Sequence, residues 1–448
     1  MSESLWRWSE LCKAVGVEAV DGPEVTGISI DSRTTQPGDL FIALTGDPGA
    51  RFNASQRSDR DGHDYIPAAL QAGAAGVLTH DPIARDCPEL KVADTLDGLW
   101  DLGRAGRARL ACPVVAITGS SGKTTTKTFL KAALGAFATE GSLNNHLGVP
   151  LSLARTPADA SSAVYEVGMN HPGEIGPLSE LVSPTLSVLL NVHQAHAENF
   201  ASQDDLRLEK LNIIKGLRPY SVFVVEDQVS LEGIRDDLRC LTFGQTEAAD
   251  ARLLEVAGNT ARYRIRGSEV SARIPGGGRH RALSLAAVLA VCSALGRDLD
   301  PALSLPDALV PGGRGNRTKI GGITVIDDSY NANPTSMAAA LQSFATEPGR
   351  RIALLGEMLE LGDASDSAHE GLAPLCENFD TIHLVGAGMH PLADALGKRA
   401  EWHATADDSL MEQLAGLLKP GDSLLIKGSN RVFWANGFTA NLIDRLTS

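Results

Sequence analysis

Aromatic residues and long apolar runs are scarce in this sequence, and each shortage excludes a class of protein. Phe, Trp and Tyr make up 5% of the 448 residues, whereas glycine occurs 45 times, a balance typical of α/β folds with many tight turns. No apolar run approaches the roughly 20 residues that a membrane-spanning helix needs. The N-terminal segment lacks the basic and apolar parts of a secretory signal. We therefore expect a cytoplasmic protein without membrane insertion.

Acidic residues outnumber basic residues, and cysteines are few. The 40 lysines and arginines face 55 acidic residues, giving a net charge of −15, so no nucleic-acid partner is expected. A phosphate site is local and is compatible with this acidity. No two cysteines form a CxxC pair, which disfavours a disulfide framework or a zinc site. The six cysteines are Cys12, Cys87, Cys112, Cys240, Cys292 and Cys376.

The length and the order of apolar runs predict an α/β protein of three domains. A chain of 448 residues exceeds one ordinary core. Strand-like runs alternate with helical patterns, which indicates doubly wound, mostly parallel sheets. We expect a small α/β domain over 1–110, a central doubly wound domain over 111–311, and a Rossmann-like domain over 312–448.

The segment TGSSGKTTTK at 118–127 has the context of a phosphate-binding loop, because it follows the apolar run VVAI and opens a helical pattern. Glycines let backbone N–H groups converge on phosphate oxygens at a helix N-terminus. Ile117 stands where the general pattern has its first glycine, so the motif is the tighter TGxxGK[ST] form. Lys127 reads as part of an exposed helix face. The expected nucleotide-binding residues here are Gly119, Ser120, Ser121, Gly122, Lys123, Thr124 and Thr125.

Within that loop, Lys123 is placed to meet the β- and γ-phosphates and Thr124 to ligate Mg²⁺. The motif indicates a nucleoside triphosphate. It does not separate a kinase, an ATPase, a switch protein and a ligase.

Three further residues follow strand-like runs or lie in the next helix. Glu166 ends SAVYE, His196 follows SVLLNV, and Lys210 lies in LRLEKLNII. Ligands of doubly wound sheets bind outside the carboxyl ends of the strands, and a carboxylate suits Mg²⁺. Taken alone, these residues are better read as a surface carboxylate, a loop histidine and a solvated lysine.

Eight motifs, in this order, resemble the Mur ligase family of peptidoglycan synthesis over nearly the whole chain. They are ISIDSRTTQPGDLFIALTG, DGHDYIPAALQAGAAGVL, TGSSGKTTTK, NNHLGVP, EVGMNHPGEI, DDSYNANPTSMAAAL, LLGEMLELG and IKGS. The resemblance implies an ATP-dependent, monomeric ligase that uses two Mg²⁺ ions. It implies joining of D-alanyl-D-alanine to UDP-N-acetylmuramoyl-tripeptide through an acyl phosphate. The alternative is the diamino-acid-adding ligase of the preceding step, which the absence of a DNPR string disfavours.

The resemblance also implies roles for individual residues. Glu166, His196 and Thr124 would bind magnesium, and Lys210 would be carbamylated and become a metal ligand. Lys123, His196 and Lys210 would be catalytic. The C-terminal domain would contact the nucleotide through Arg314, Asp328 and Asn331. The N-terminal domain would hold the UDP part of the substrate. The substrate-binding residues would be Asp31, Ser32, Arg33, His63, Asn144 and Asn145.

The sequence departs from the family pattern in three places. Arg281 and Ser284 stand where two asparagines are usual, which puts the adenine contact there in doubt. The string KGSNR leaves open whether Asn430 or Arg431 takes an arginine's role. The loop 47–60 is longer than usual. We also expect the PGGRG segment at 311–315 to lie near an interdomain hinge. A folate polyglutamate ligase and an ATP-binding switch or scaffold protein are the remaining rivals.

Overall fold

The computed structural model describes residues 4–46, 60–82, 87–193, 200 and 202–447. His196 and most of the loop 47–60 therefore lie outside the described residues. Three sheets follow one another along the chain, with four, nine and six strands. This confirms the expected α/β class with three domains, while the exact boundaries stay a prediction.

The first sheet is parallel throughout, with its strands in chain order. Its strands are β1 (Gly27–Ser29), β2 (Asp39–Ile42), β3 (Gly76–Thr79) and β4 (Glu89–Lys91). The helices of this part are α1 (Trp8–Ala14), α2 (Ile66–Gln71) and α3 (Thr95–Ala108).

The central sheet has the order β13-β12-β11-β10-β9-β8-β5-β7-β6. Its strands pair in parallel except for the pairs β11–β12 and β12–β13, which are antiparallel. Its strands are β5 (Val114–Thr118), β6 (Phe137–Ala138), β7 (Ala163–Glu166), β8 (Leu186–Leu189), β9 (Val222–Glu226), β10 (Arg239–Gly244), β11 (Ala251–Ala257), β12 (Thr260–Ile265) and β13 (Ser268–Arg273). The helices are α4 (Lys123–Leu134), α5 (Gly148–Ala154), α6 (Ile175–Val182), α7 (Gln203–Leu211), α8 (Arg279–Ala294) and α9 (Asp300–Leu303).

The third sheet has the order β14-β15-β19-β16-β17-β18, parallel except for the first hairpin. Its strands are β14 (Asn316–Ile320), β15 (Ile323–Asp328), β16 (Arg351–Gly356), β17 (Thr381–Val385), β18 (Ala400–His403) and β19 (Ser423–Lys427). The helices are α10 (Pro334–Phe344), α11 (Ser365–Glu370), α12 (His390–Leu396), α13 (Asp408–Leu417), α14 (Asn430–Phe433) and α15 (Phe438–Thr447). Within the residues that the structure describes, no helix is both long and apolar enough to cross a bilayer.

The first two domains share one hydrophobic core, whereas the third has its own. A single cluster of buried side chains runs from Trp6 to Val225, while the clusters of the third domain begin at Ile320. Polar contacts fasten the shared core, because Trp6 Nε1 donates to Ala154 O (2.8 Å) and Arg155 Nε donates to Ile28 O (2.7 Å). The first two domains therefore form one packed body.

Glycines let α3 approach α5 closely at the centre of that body. A Cβ atom at Gly106 would lie 2.4 Å from Leu153 O, and one at Gly103 would lie 3.0 Å from Pro150 Cα. Both obstacles are backbone atoms that cannot rotate away. The small residues of α3 thus set the spacing between the first two domains.

The Gly106→Ala substitution should lower the free energy of unfolding by about 1–3 kcal/mol, because the added methyl group overpacks this contact. Gly416→Ala in α13 is the matched control, since nothing lies within 4 Å of its added Cβ. That change should be neutral or stabilise by up to about 1 kcal/mol through helix propensity. Urea denaturation of both variants measures the difference. Equal effects would contradict the close-packing explanation.

Candidate active site

The phosphate loop joins β5 to α4, as predicted. β5 is buried along its whole length, and Gly122 caps α4 with a left-handed backbone (φ 79°) that favours glycine. The first intrahelical bond runs from Thr126 N–H to Gly122 O (2.9 Å). The N–H groups of Lys123, Thr124 and Thr125 thus precede the helical bonding pattern, as is usual at an anion-binding helix end. Lys123 Nζ reaches back to donate to Gly119 O at 2.7 Å.

The segment that follows β8 holds the loop in place. Ser120 Oγ donates to His193 O (2.8 Å), and His193 N–H donates to Ser120 Oγ (3.0 Å). Ser121 N–H donates to Asn191 Oδ1 at 2.9 Å. Neighbouring strands β5 and β8 therefore present one continuous edge to a ligand.

Glu166 is a buried carboxylate at the end of β7, beside the phosphate loop. Its Oε2 accepts from Thr124 Oγ1 (2.9 Å) and its Oε1 accepts from Asn144 Nδ2 (2.8 Å). Burial alone would raise the pKa of Glu166, but Lys127, Lys123 and the Asn144 amide together hold that pKa below its ordinary value. Glu166 is therefore an anion at neutral pH.

Lys127 is not on an exposed helix face, and the expectation drawn from the helical pattern was wrong. Only 3% of the residue is exposed, and Nζ lies 3.3 Å from Glu166 Oε2. Nζ also donates to Gly141 O. The face of α4 that carries Thr124 and Lys127 packs toward β7. This face is covered by the sheet and is therefore not exposed to solvent.

Lys210 lies in the last turn of α7 and is 2% exposed. Burial, and then the charge of Lys123, lower the pKa of Lys210 well below its ordinary value, while Glu209 acts in the opposite sense. Burial and the nearby Lys210 likewise lower the pKa of His193. Among the described residues, no hydrogen bond or ion pair forms at Lys210 Nζ. The solvated lysine suggested by the sequence alone is thus a buried amine facing the phosphate loop.

The third domain adds a further cation to this cleft. Arg314 Nη2 donates to Ser142 Oγ (3.2 Å), and its guanidinium lies 4.0 Å from the centre of the Tyr330 ring. Tyr330 Oη donates to the same Ser142 hydroxyl at 2.9 Å. The charge of Arg314 acts on Lys123 and on Glu166. Three cations, Lys123, Lys127 and Arg314, act on the buried carboxylate of Glu166, so this cleft is electrostatically suited to a polyanion.

Asp328 and Asn331, expected at the nucleotide, lie at the carboxyl end of β15. Asp328 Oδ2 accepts from Lys427 Nζ (2.7 Å), and Asn331 O accepts from the same ammonium group (3.2 Å). Lys427 is 2% exposed. Nucleotide binding by Asp328 and Asn331 stays a prediction.

Arg281, one of the departures from the family pattern, bridges the central and third domains. Its Nη1 donates to Gly276 O and Gly277 O (both 2.9 Å). Its Nη2 donates to Arg314 O (2.7 Å) and Gly315 O (3.1 Å). The residue is 5% exposed. The guanidinium therefore holds the segment expected to be a hinge against the start of α8.

Ser284, the second of those departures, lies beside the phosphate loop. A Cβ at Gly122 would lie 3.4 Å from its Oγ, and that hydroxyl donates back to His280 O at 3.3 Å. Asn430 and Arg431 begin α14, where Asn430 is half-buried and Arg431 is exposed. Which of these two takes the arginine's role stays open.

The residues expected to bind UDP lie where the strands of the first sheet end. Arg33 Nη2 is 2.6 Å from Asp31 Oδ2, and the Arg33 side chain, chiefly through hydrogen bonding, lowers the pKa of Asp31. Ser32 lies between them and is half-buried. His63 Nδ1 is 2.5 Å from Asp61 Oδ1, and its ring contacts the His80 ring at 4.1 Å between centres.

Asn144 and Asn145, the expected substrate residues of the central domain, have separate local roles. Asn144 holds Glu166, as described above. Asn145 Oδ1 accepts from Leu147 N–H (3.2 Å) and Gly148 N–H (3.0 Å) at the start of α5. The structure thus brings Lys123, Thr124, Glu166, Lys210, Arg314 and Asn144 together, and it places Asp31 and His63 in the first domain.

Comparison with known proteins agrees with this fold and site. The model of the Mur ligase middle domain matches residues 117–292, and that of the Mur ligase glutamate ligase domain matches residues 313–430. The fold and the phosphate-loop cleft are those of an ATP-dependent ligase. The chain belongs to the Mur ligase family.

Particular relatives within the family span almost the whole chain. A Rickettsia prowazekii protein named UDP-N-acetylmuramoyl-tripeptide–D-alanyl-D-alanine ligase is 31% identical, covering 96% of this chain and 98% of its own. The crystal structure of MurF from Acinetobacter baumannii superposes with a TM-score of 0.82 at 30% identity, covering 99% and 100%. MurF ligase from Thermotoga maritima in complex with ADP gives 0.77 at 28% identity, covering 94% and 97%.

The Arg281→Ala substitution should loosen the contact between the central and third domains, because four carbonyl oxygens, one buried and three partly buried, lose their donors. We expect the free energy of unfolding to fall by about 2–4 kcal/mol. We also expect a broader distribution of distances between spin labels on the two domains. Arg279→Ala is the matched control, since Arg279 is the exposed first residue of the same helix. Unchanged distances in the Arg281 variant would contradict the bridging role.

Proposed function

We propose that this chain joins D-alanyl-D-alanine to UDP-N-acetylmuramoyl-tripeptide at the expense of ATP, giving the pentapeptide precursor of peptidoglycan, ADP and phosphate. The observation that carries this proposal is the cluster of three cations, Lys123, Lys127 and Arg314, around the buried Glu166 at the phosphate loop. Relatives with this name match over the full length. The proposal includes a monomeric, cytoplasmic enzyme.

The chemical problem is to make an amide from an unreactive carboxylate. In the proposed sequence, a carboxylate oxygen of the tripeptide attacks the γ-phosphorus, the bond to the β-phosphate oxygen breaks, and ADP leaves. The dipeptide amine then attacks the acyl phosphate, and phosphate leaves after the amine has lost a proton. Lys123 and Arg314 neutralise the charge that gathers between the two reactants. Their positions on two domains favour reaction only when those domains are close.

The residues at Glu166 fit a magnesium ion. A buried, ionised carboxylate beside the Thr124 hydroxyl offers hard oxygen ligands, and His196 would complete the set implied by the family. The metal would shield charge between the phosphate groups and the substrate carboxylate. In its absence Lys127 supplies the counter-charge of Glu166. Binding of the magnesium ion therefore has to displace Lys127 from Glu166 or share the carboxylate with it.

Lys210 fits the proposed carbamate because its amine is buried and its pKa is depressed. Carbon dioxide reacts with a neutral amine, whose nitrogen forms a bond to the carbon while one proton is released. The product is an anion, which places a negative charge next to Lys123 and provides oxygen atoms for a metal. Carbamylation thus replaces a buried amine beside Lys123 by a group of the opposite charge to that lysine.

The three domains would each hold one reactant. UDP is proposed at Asp31, Ser32, Arg33 and His63, ATP at the phosphate loop, and the dipeptide at the strand ends of the third domain. The packed body of the first two domains would fix the tripeptide relative to ATP. The third domain would deliver the amine and exclude water from the acyl phosphate.

Mass analysis of the product tests the reaction itself. With ATP, UDP-muramoyl tripeptide and D-alanyl-D-alanine, the product should have the summed mass of the two substrates less one water. Phosphate release should require both of them. Tripeptides with lysine and with diaminopimelate should be compared. Turnover with a single diamino acid in place of the dipeptide would support the alternative ligase and overturn the proposal.

Lys123→Ala should lower kcat about a hundredfold or more, because it removes a charge that acts on the transferring phosphoryl group. Lys131→Ala is the matched control, since Lys131 lies exposed on the same helix and should leave kcat unchanged. Steady-state phosphate release measures both variants. Similar kcat values for wild type and the Lys123 variant would contradict the assigned role.

The carbamate has a test that does not depend on turnover. Full-length protein in ¹³C-bicarbonate near neutral pH should give one protein-bound carbamate resonance, because the lowered pKa of Lys210 leaves more of its amine neutral there than an ordinary lysine has. The signal should weaken as pH falls, since protonation removes the reactive form. It should vanish in Lys210→Met and persist in Lys131→Met. A signal unaffected by Lys210→Met would rule out this site.

A further inference from the structure

A second group of chemically active side chains lies at the far edge of the third sheet, on the strand pair β17 and β18. His383 is paired with Glu401 in the parallel register, and Val385 is paired with His403. Because side chains alternate along a strand, His383, Glu401 and His403 all lie on the same face of the sheet. The nearest ligand atoms of the three side chains lie within 4.8 Å of one another.

The distances within this group match those of a tetrahedral metal site. Metal bonds of about 2.0–2.1 Å at tetrahedral angles place ligand atoms about 3.3 Å apart. His383 Nδ1 lies 3.1 Å from His403 Nε2 and 3.8 Å from Glu401 Oε2. These values lie on either side of the expected separation. The three side chains could therefore ligate one ion with small rotamer adjustments.

His383 is the buried member of this group and has one nitrogen that is not hydrogen-bonded. It is 1% exposed, and its Nδ1 lies toward the other two side chains. Its other ring nitrogen, Nε2, is buried without a hydrogen-bond partner. A buried polar atom of this kind costs free energy. A hydrogen-bonded pair with His403 satisfies only one of the two nitrogens, which leaves the placement of this histidine unexplained by hydrogen bonding.

Neighbouring residues hold Glu401 and the strand that carries both Glu401 and His403. Gln413 in α13 donates through Nε2 to Glu401 Oε2 at 2.7 Å. Between the two ligands of β18, Trp402 Nε1 donates to Gly386 O (2.9 Å) and its ring stacks on His390. Outer contacts that orient ligands in this way are a regular part of metal sites. Glu401 is exposed, which leaves access for the ion and for a water molecule in the fourth position.

We propose that His383, Glu401 and His403 bind a zinc-class divalent transition-metal ion that joins the edge strand β18 to β17. Two imidazoles and one carboxylate suit zinc, cobalt or nickel, whereas magnesium prefers oxygen ligands. This site is separate from the phosphate-loop cleft and from the ligase reaction. Its ligands are histidines and a glutamate, so the absence of cysteine pairs in the sequence does not bear on it. The ion would stabilise the short edge strand and would take no part in catalysis.

Equilibrium dialysis of the full-length chain against Zn²⁺, with Mg²⁺ in large excess, tests the site. Magnesium would bind at the proposed central site and competes poorly for imidazoles. The wild type should retain one more equivalent of zinc than His403→Gln or Glu401→Gln. Co²⁺ in place of zinc should give the visible absorption of a tetrahedral site in the wild type only. Gln413→Ala should weaken binding about 10- to 100-fold, because it removes an outer contact.

His390→Gln is the matched control, since His390 is an exposed histidine beside β18 that is not in the ligand set. It should bind zinc like the wild type. Zinc should raise the melting temperature of the wild type and of His390→Gln, but not of His403→Gln. Without metal, His403→Gln should melt like the wild type, because His403 is only half-buried. Equal zinc retention by wild type and His403→Gln would overturn the proposal, as would its loss in His390→Gln.

Discussion

The buried carboxylate of Glu166 is the interaction on which the rest of the site depends. It ties β7 to two other segments, through Thr124 and Lys127 of α4 and through Asn144 before α5. A buried charge is tolerated only when it is paired and hydrogen-bonded. Removing any of these partners would leave the carboxylate uncompensated. The geometry of the loop and the charge of the metal-binding group are therefore set by the same contacts.

The three domains differ in how they are joined, and this difference fits their proposed tasks. The shared apolar core fixes the first domain on the central one. By contrast, the third domain meets the central one through polar contacts of Arg281, Arg314 and Tyr330. Hydrogen bonds of this kind can be exchanged for water at little cost, whereas apolar burial cannot. The third domain is thus the one whose position can change during a reaction cycle.

The sequence predicts the repeating parts of this structure well and the contacts between distant segments poorly. β5, β7 and β16 are buried apolar runs and could be located directly, whereas the edge strand β18 is only four residues long and exposed in part. Lys127 and Lys210 look like ordinary helix-surface lysines, because burial depends on which segment covers the helix. The role of Arg281 is likewise invisible, since its four acceptors come from two turns that the sequence does not bring together.

Charge repulsion makes the approach of the third domain to the central domain depend on the bound nucleotide. Burial chiefly lowers the pKa of Lys123 and Lys127, and the charge of Arg314 lowers both further. Bringing the third domain toward the phosphate loop therefore places like charges together. A triphosphate between them turns each of these repulsions into an attraction. We therefore expect nucleotide binding to favour the approach of Arg314, so that the domain carrying the amine arrives only when the phosphoryl donor is in place.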